Sequence, residues 1–185
     1  MSRLDRFRVA QNQAHTGFLS ALAEIQAGAK RGHWIWYVFP QLDGLGASSA
    51  SRTFAIDGPA EAAEYLRDPE LRSRLSIILK AVVLRLKSGN HTTLRALMGS
   101  DIDVRKLVSS LTLFGCVARQ LQLGQIKEAD IQSGESRVGD AYSSVVRLAE
   151  EILAAADAEG YAACTYTLER LGRGKQPLGR EKGRG

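Results

Sequence analysis

Apolar residues recur at three- and four-residue steps along most of the chain, and the runs are punctuated by proline, glycine and short polar residues. Such spacing lines one face of an α-helix, whereas a half-buried strand would need strict alternation. Leu4, Phe7, Gln11, Ala14, Phe18, Ala21, Leu22 and Ile25 form the first stripe, which predicts one amphipathic helix started by Ser2 with Asp5 and stopped at Gly28. Pro59 after Gly58, and Pro69 after Asp68, each sit where a proline suits the first helical position. From there Leu71, Leu75, Ile78, Leu79, Val82 and Leu86 mark a long helix ending at Gly89. Thr92 or Thr93 opens a brief helix to Met98, closed by Gly99. Asp101 or Asp103 can cap a helix running to about Gly124 with Leu107, Leu111, Phe114, Ala118 and Leu121 inside. Val138, Tyr142, Val145, Ala149 and Ile152 repeat the pattern up to Gly160, after a polar loop over 127–139, and residues 165–171 can add a short last helix.

The expected fold is therefore all-α, one compact multi-helix domain over 1–172 with an aromatic-rich segment at 33–42. A chain of 185 residues that is 44% hydrophobic has material for a real core. The net charge of +5 is concentrated at the end: residues 173–185 hold Arg173, Lys175, Arg180, Lys182 and Arg184 against Glu181, a net of +4, which leaves +1 for residues 1–172. Residues 173–185 read as a basic, Gly- and Arg-rich flexible tail, able at most to hold nucleic acid through its phosphates. The apolar runs around Ile77 and Val82 are cut by Lys80 and Arg85, and no apolar stretch follows the charges at the amino terminus. A cytoplasmic protein that does not engage a membrane is expected, with Cys116 and Cys164 as free thiols and no metal site.

Residues 30–46 depart from this regularity. They hold both tryptophans, Trp34 and Trp36, with Tyr37, Phe39 and His33, beside Lys30 and Arg31. A strand here would lack a partner, so a buried helical turn or an extended loop is expected, ended by Pro40 and followed by a Gly44-Leu45-Gly46 run that needs special backbone. Such a cluster is either a core anchor or the wall of a pocket. Two groups of side chains could share that pocket. Near the aromatic segment are Lys30, His33, Trp34, Trp36, Gln41, Ser48 and Arg52; on the 101–124 helix are Asp103, Lys106, Ser109 and Ser110, with Lys106 and Ser110 on one face and Asp103 within pairing distance of Lys106. His33, Lys106 and Ser109 are the candidates for catalysis, and the others for ligand binding. Each has a plainer role open to it: His33 as a core histidine, the tryptophans as packing, the serines as donors to helix carbonyls and Asp103 as a helix cap.

The string His33-Trp34-Ile35-Trp36-Tyr37-Val38-Phe39-Pro40-Gln41, followed by Gly44-Leu45-Gly46 and Ser48, resembles the signature of a bacterial and fungal family catalogued as domain of unknown function 1810, often labelled calpastatin-like. Leu4-Asp5-Arg6-Phe7 with Ala10-Gln11, Tyr65-Leu66 with Pro69 and Leu71, and Lys106 with Ser109-Ser110-Leu111-Thr112-Leu113-Phe114 extend the resemblance over about 4–114, with an echo at Thr167-Leu168 and Leu171. The resemblance implies a mostly α-helical fold and names no activity or cofactor. Calpastatin itself inhibits as a disordered chain that folds on its target, whereas this chain is patterned to fold alone. No Ser-His-Asp order, paired-carboxylate spacing or phosphate-loop spacing is present. Two functions fit these residues: a small-molecule-binding protein or enzyme holding an anionic, nucleotide-like ligand against 30–48, or a non-catalytic module that binds protein or nucleic acid through its surface or basic tail.

Overall fold

The computed structural model describes residues 2–88, 92–124 and 135–172. These form ten helices and no strand among the described residues: α1 (Asp5–Gln11), α2 (Phe18–Ala27), α3 (Ile35–Val38), α4 (Ser49–Thr53), α5 (Gly58–Arg67), α6 (Pro69–Lys87), α7 (Leu94–Met98), α8 (Asp101–Gln122), α9 (Glu135–Ala158) and α10 (Thr165–Arg170). The all-α expectation holds. The basic tail and the start of the expected 127–139 loop lie outside the described residues.

Helix α8 is the centre of the molecule. From Leu107 to Ala118 all its residues are buried, and it packs against α9, α5, α7, α10 and α3. A second layer is formed by α6, which lies against α2, α5 and α9. Helices α8 and α9 approach closely at Gly115, where an added Cβ would stand 3.3 Å from the Ala149 Cβ, so the small residue sets the spacing.

The punctuation read from the sequence holds at most of these helices. Pro59 and Pro69 start α5 and α6, the Thr93 hydroxyl accepts from the Ala96 N–H at 3.0 Å, and Gly99 ends α7 with φ +78°. Three elements differ. The single first helix is two, broken over 12–17. Asn12, Thr16 and Gly17 are weak helix formers, Ala14 is exposed, and Gly17 packs so tightly that a Cβ would meet the Gln13 carbonyl oxygen at 2.3 Å. The cap of α8 is Ser100, whose hydroxyl accepts from the Asp103 N–H at 3.1 Å, and neither Asp101 nor Asp103 takes that place. Helix α9 begins at Glu135, within the stretch expected to be loop.

The break between α1 and α2 leaves Gln11 buried and useful. Its amide donates to the Tyr37 carbonyl at 2.7 Å and to the Tyr65 hydroxyl at 3.1 Å, tying the aromatic segment to α1 and α5. Residues 35–38 form the expected helical turn, and Phe39 and Pro40 end it. After Pro40 the chain makes one isolated parallel bridge, Leu42 to Ile56. No helix among the described residues is long and apolar enough to cross a membrane.

Candidate functional site

Glu24, near the end of α2, organises the aromatic segment. Its carboxylate accepts the N–H of Arg31 at 2.6 Å, the N–H of Gly32 at 2.9 Å and the indole N–H of Trp34 at 2.7 Å. Burial pushes the Glu24 carboxyl up, but these three donors and the nearby Lys30 outweigh it and hold the group below the ordinary carboxylate range. Trp34 is thereby fixed inside the core, 1% exposed, against Phe39. Trp36, two residues on, points elsewhere and is half-buried. The two tryptophans thus divide the roles that the sequence left open: Trp34 is the core anchor and Trp36 the wall.

Behind Trp36 lies a line of charges. The Lys30 ammonium, its side chain 6% exposed, sits 2.6 Å from one Asp103 oxygen and donates to the Gly32 carbonyl at 2.7 Å. The other Asp103 oxygen accepts from Lys106 at 2.9 Å. The Lys106 ammonium in turn stands 3.7 Å from the centre of the Trp36 ring. Burial raises the Asp103 carboxyl, yet the two ammonium groups hold it below its usual value. Asp103 is accordingly an ion-pair hub; the helix cap is Ser100. The side chain of Lys106 is well buried, held by a carboxylate on one side and an indole face on the other.

Beyond Lys106 opens a cleft of about 630 Å³. One wall is the α8 stripe Ile102, Arg105, Lys106 and Ser109, spaced so that all four lie on one helix face. Trp36, Gln41 and Leu45 form the second wall, and residues 160–166 the third, with Tyr161, Cys164, Thr165 and Tyr166. Arg105 lies over the Tyr161 ring, its guanidinium carbon 5.7 Å from the centre, and the Tyr161 hydroxyl bonds Asp101. Two contacts hold the third wall in place. Thr112 donates to the Val108 carbonyl at 2.8 Å and accepts the Cys164 N–H at 3.2 Å. The Tyr166 hydroxyl donates to the Asp43 carbonyl at 2.9 Å, across Gly44, whose φ is +90° and where a Cβ would meet that hydroxyl at 2.2 Å. The Gly-rich run after Pro40 therefore serves the approach of Tyr166.

Of the residues singled out in the sequence, Trp36, Gln41, Lys106 and Ser109 converge on the cleft, with Lys30, Trp34 and Asp103 supporting them from behind. The others go elsewhere. His33 is exposed and lines no part of the cleft, so it is not the core histidine considered above. Ser48 caps α4, accepting the Ser51 N–H at 3.1 Å, and Arg52 is exposed and donates to the Ala47 carbonyl. The Ser110 hydroxyl is buried without a partner among the described residues, and the Ser109 hydroxyl faces Thr167 at 3.5 Å. It is Thr112, and not these serines, that bonds back to a helix carbonyl. Arg105, Tyr161, Cys164, Thr165 and Tyr166 escaped the sequence reading. Arg105 could have been found as the neighbour of Lys106 on the same helical stripe; the other four carry no local signal.

The sequence model of the family described as "Protein of unknown function (DUF1810)" matches residues 1–133. The chain belongs to that family. Among solved structures, it is similar to the conserved hypothetical protein Rv1873 from Mycobacterium tuberculosis, with a TM-score of 0.61 and 28% identity over 90% of this chain and 94% of that one. No curated protein matches it. The family match covers α8 and the aromatic segment, the two walls that carry Lys106 and Trp36, while the third wall lies beyond it.

Proposed function

We propose that the protein binds an anionic, nucleotide-like small molecule in the cleft between α8, the aromatic segment and residues 160–166. The observation that carries this reading is the charge of the lining. Lys106 and Arg105 face the cleft, and no carboxylate is among its described lining residues. A pocket of a few hundred cubic ångströms with apolar walls and a few convergent polar groups is the usual form of a small-molecule site. Trp36, Tyr161 and Tyr166 supply aromatic surface for a flat ring, although the Trp36 face is engaged by Lys106, so its main part is to aim the ammonium. Gln41, Ser109 and Thr165 add neutral hydrogen-bonding groups.

Binding is favoured over acid–base catalysis. Cys164 and Ser109 are nucleophile types, but neither histidine nor carboxylate is among the described residues lining the cleft beside them, and a nucleophile without a partner base is weak. Among the described residues there is also no cluster of His, Cys, Asp and Glu suited to a metal ion. Differential scanning fluorimetry of the full chain against nucleotides, sugar phosphates and aromatic carboxylates tests the reading. A ligand at a hundred times its Kd stabilises the folded state by about 2.7 kcal/mol, a readable shift. A flat response to every anionic compound, with Arg105→Gln indistinguishable from the parent throughout, sinks it.

A further inference from the structure

The two cations on the α8 wall of the cleft are held differently. Lys106 is fixed: Asp103 binds it at 2.9 Å, Trp36 lies beneath it, and its side chain is 16% exposed. Arg105 is exposed and forms no ion pair among the described residues; it rests against Tyr161 and, with the Tyr161 hydroxyl and Arg95, helps to hold the Asp101 carboxyl low. The nearby acids have other hydrogen-bonding or ionic partners. Asp103 is claimed at 2.6 Å by the buried Lys30, Asp101 is held by Arg95 at 3.1 Å and by the Tyr161 hydroxyl, and Glu159 accepts the Leu94 and Arg95 N–H groups at the start of α7. The four cations Lys30, Arg95, Arg105 and Lys106 thus outnumber the three acids Asp101, Asp103 and Glu159 by one, and Arg105 and Lys106 are the two that line the cleft. A phosphate monoester, which carries close to two negative charges at neutral pH, is drawn to this positive wall more strongly than a carboxylate with one.

The donor count points the same way. A carboxylate offers two oxygens, whereas a phosphate monoester offers three terminal oxygens set around one phosphorus. The planar fork of Arg105 suits two of them and the compact Lys106 ammonium a third. Ser109 follows Lys106 by three positions and Arg105 by four, so its hydroxyl lies on the same stripe. Its contact with Thr167 at 3.5 Å is at the limit of a hydrogen bond and is readily exchanged for a stronger acceptor. Resting on the reading of the cleft as an anion site, we infer that its ligand carries a phosphate monoester, seated on Arg105, Lys106 and Ser109.

Titration of the full chain with phenyl phosphate and with benzoate, followed by amide chemical shifts, tests this with ligands that share a ring and differ in the anion. Phenyl phosphate is expected to bind about tenfold or more tighter than benzoate, since one added charge-assisted hydrogen bond is enough for that ratio. Arg105→Gln, an exposed position whose change leaves the core intact, is expected to remove most of that preference, and Ser109→Ala part of it. Equal affinity for the two probes overturns the phosphate assignment and leaves the anion site standing. Shifts from neither probe at millimolar concentration overturn both. A phosphate preference that survives Arg105→Gln also refutes the seat, because it places the phosphate elsewhere.

Discussion

Asp103→Asn separates the two parts that this residue plays, and its consequences run in opposite directions. Asp103 is the one carboxylate shared by Lys30 and Lys106, at 2.6 and 2.9 Å, and both ammonium groups are largely withdrawn from water. Breaking a buried pair by removing one partner typically costs 3–5 kcal/mol, because a charge is left without compensation. Asparagine keeps one carbonyl acceptor, and Lys30 retains the Gly32 carbonyl at 2.7 Å, so the expected loss is smaller, about 2–3 kcal/mol. For a domain of this size that corresponds to a melting temperature lower by roughly 5–10 °C. The pH dependence is a second signature. The folded-state pKa of Asp103 lies below its unfolded value, so its stabilisation is complete above the unfolded pKa near 3.9 and is lost as pH falls through the lower folded value. The gap between parent and variant in urea denaturation should thus be full at pH 7 and narrow below about pH 4. Binding should move the other way, since Lys106 is freed from its carboxylate: phenyl phosphate should bind the variant a few-fold more tightly. A stability gap under about 0.5 kcal/mol at pH 7, or one that stays constant down to pH 3, would refute the hub.

Two further substitutions test how the cleft is assembled. Gly44→Ala should destabilise by roughly 2 kcal/mol in urea titrations, from left-handed backbone strain together with displacement of the Tyr166 hydroxyl, whereas Tyr166→Phe, which loses only the bond to Asp43, should lose no more than about 1 kcal/mol; equal losses would show that Gly44 is not strained. Ser100→Ala should cost about 1 kcal/mol as a lost helix cap, and an unchanged denaturation midpoint would show that the α8 terminus is satisfied without it.

How much of this could be read from the chain depends on the range of the interaction. Pro59, Pro69, Thr93 and Gly99 delimit helices through contacts within four residues, so they act as punctuation wherever the helices end up. Gln11 shows the limit. It lies on the helical stripe and is buried, but its partners are the Tyr37 carbonyl and the Tyr65 hydroxyl, 26 and 54 positions away, and nothing local indicates that the helix breaks just after it. The cap of α8 shows the same limit: Ser100, Asp101 and Asp103 are all good caps by residue type, and in the fold both aspartates are engaged by residues outside α8, Asp103 by Lys30 and Asp101 by Arg95 and Tyr161, while Ser100 takes the cap.

The same division governs the candidate site. By itself the sequence determined that the chain is helical, that residues 33–42 concentrate its aromatic side chains, and that Asp103 and Lys106 lie within pairing distance on one helix, since composition, periodicity and helical spacing are properties of residues and their near neighbours. Only the tertiary structure decided that Trp34 faces the core while Trp36 faces a cleft, that His33 and Arg52 stay outside, and that Tyr161, Cys164 and Tyr166 close the far wall. The last of these depends on α10 packing against α8 across more than fifty residues of chain, with Thr112 and Asp43 holding the segment in place, and contacts of that span leave no mark on local pattern.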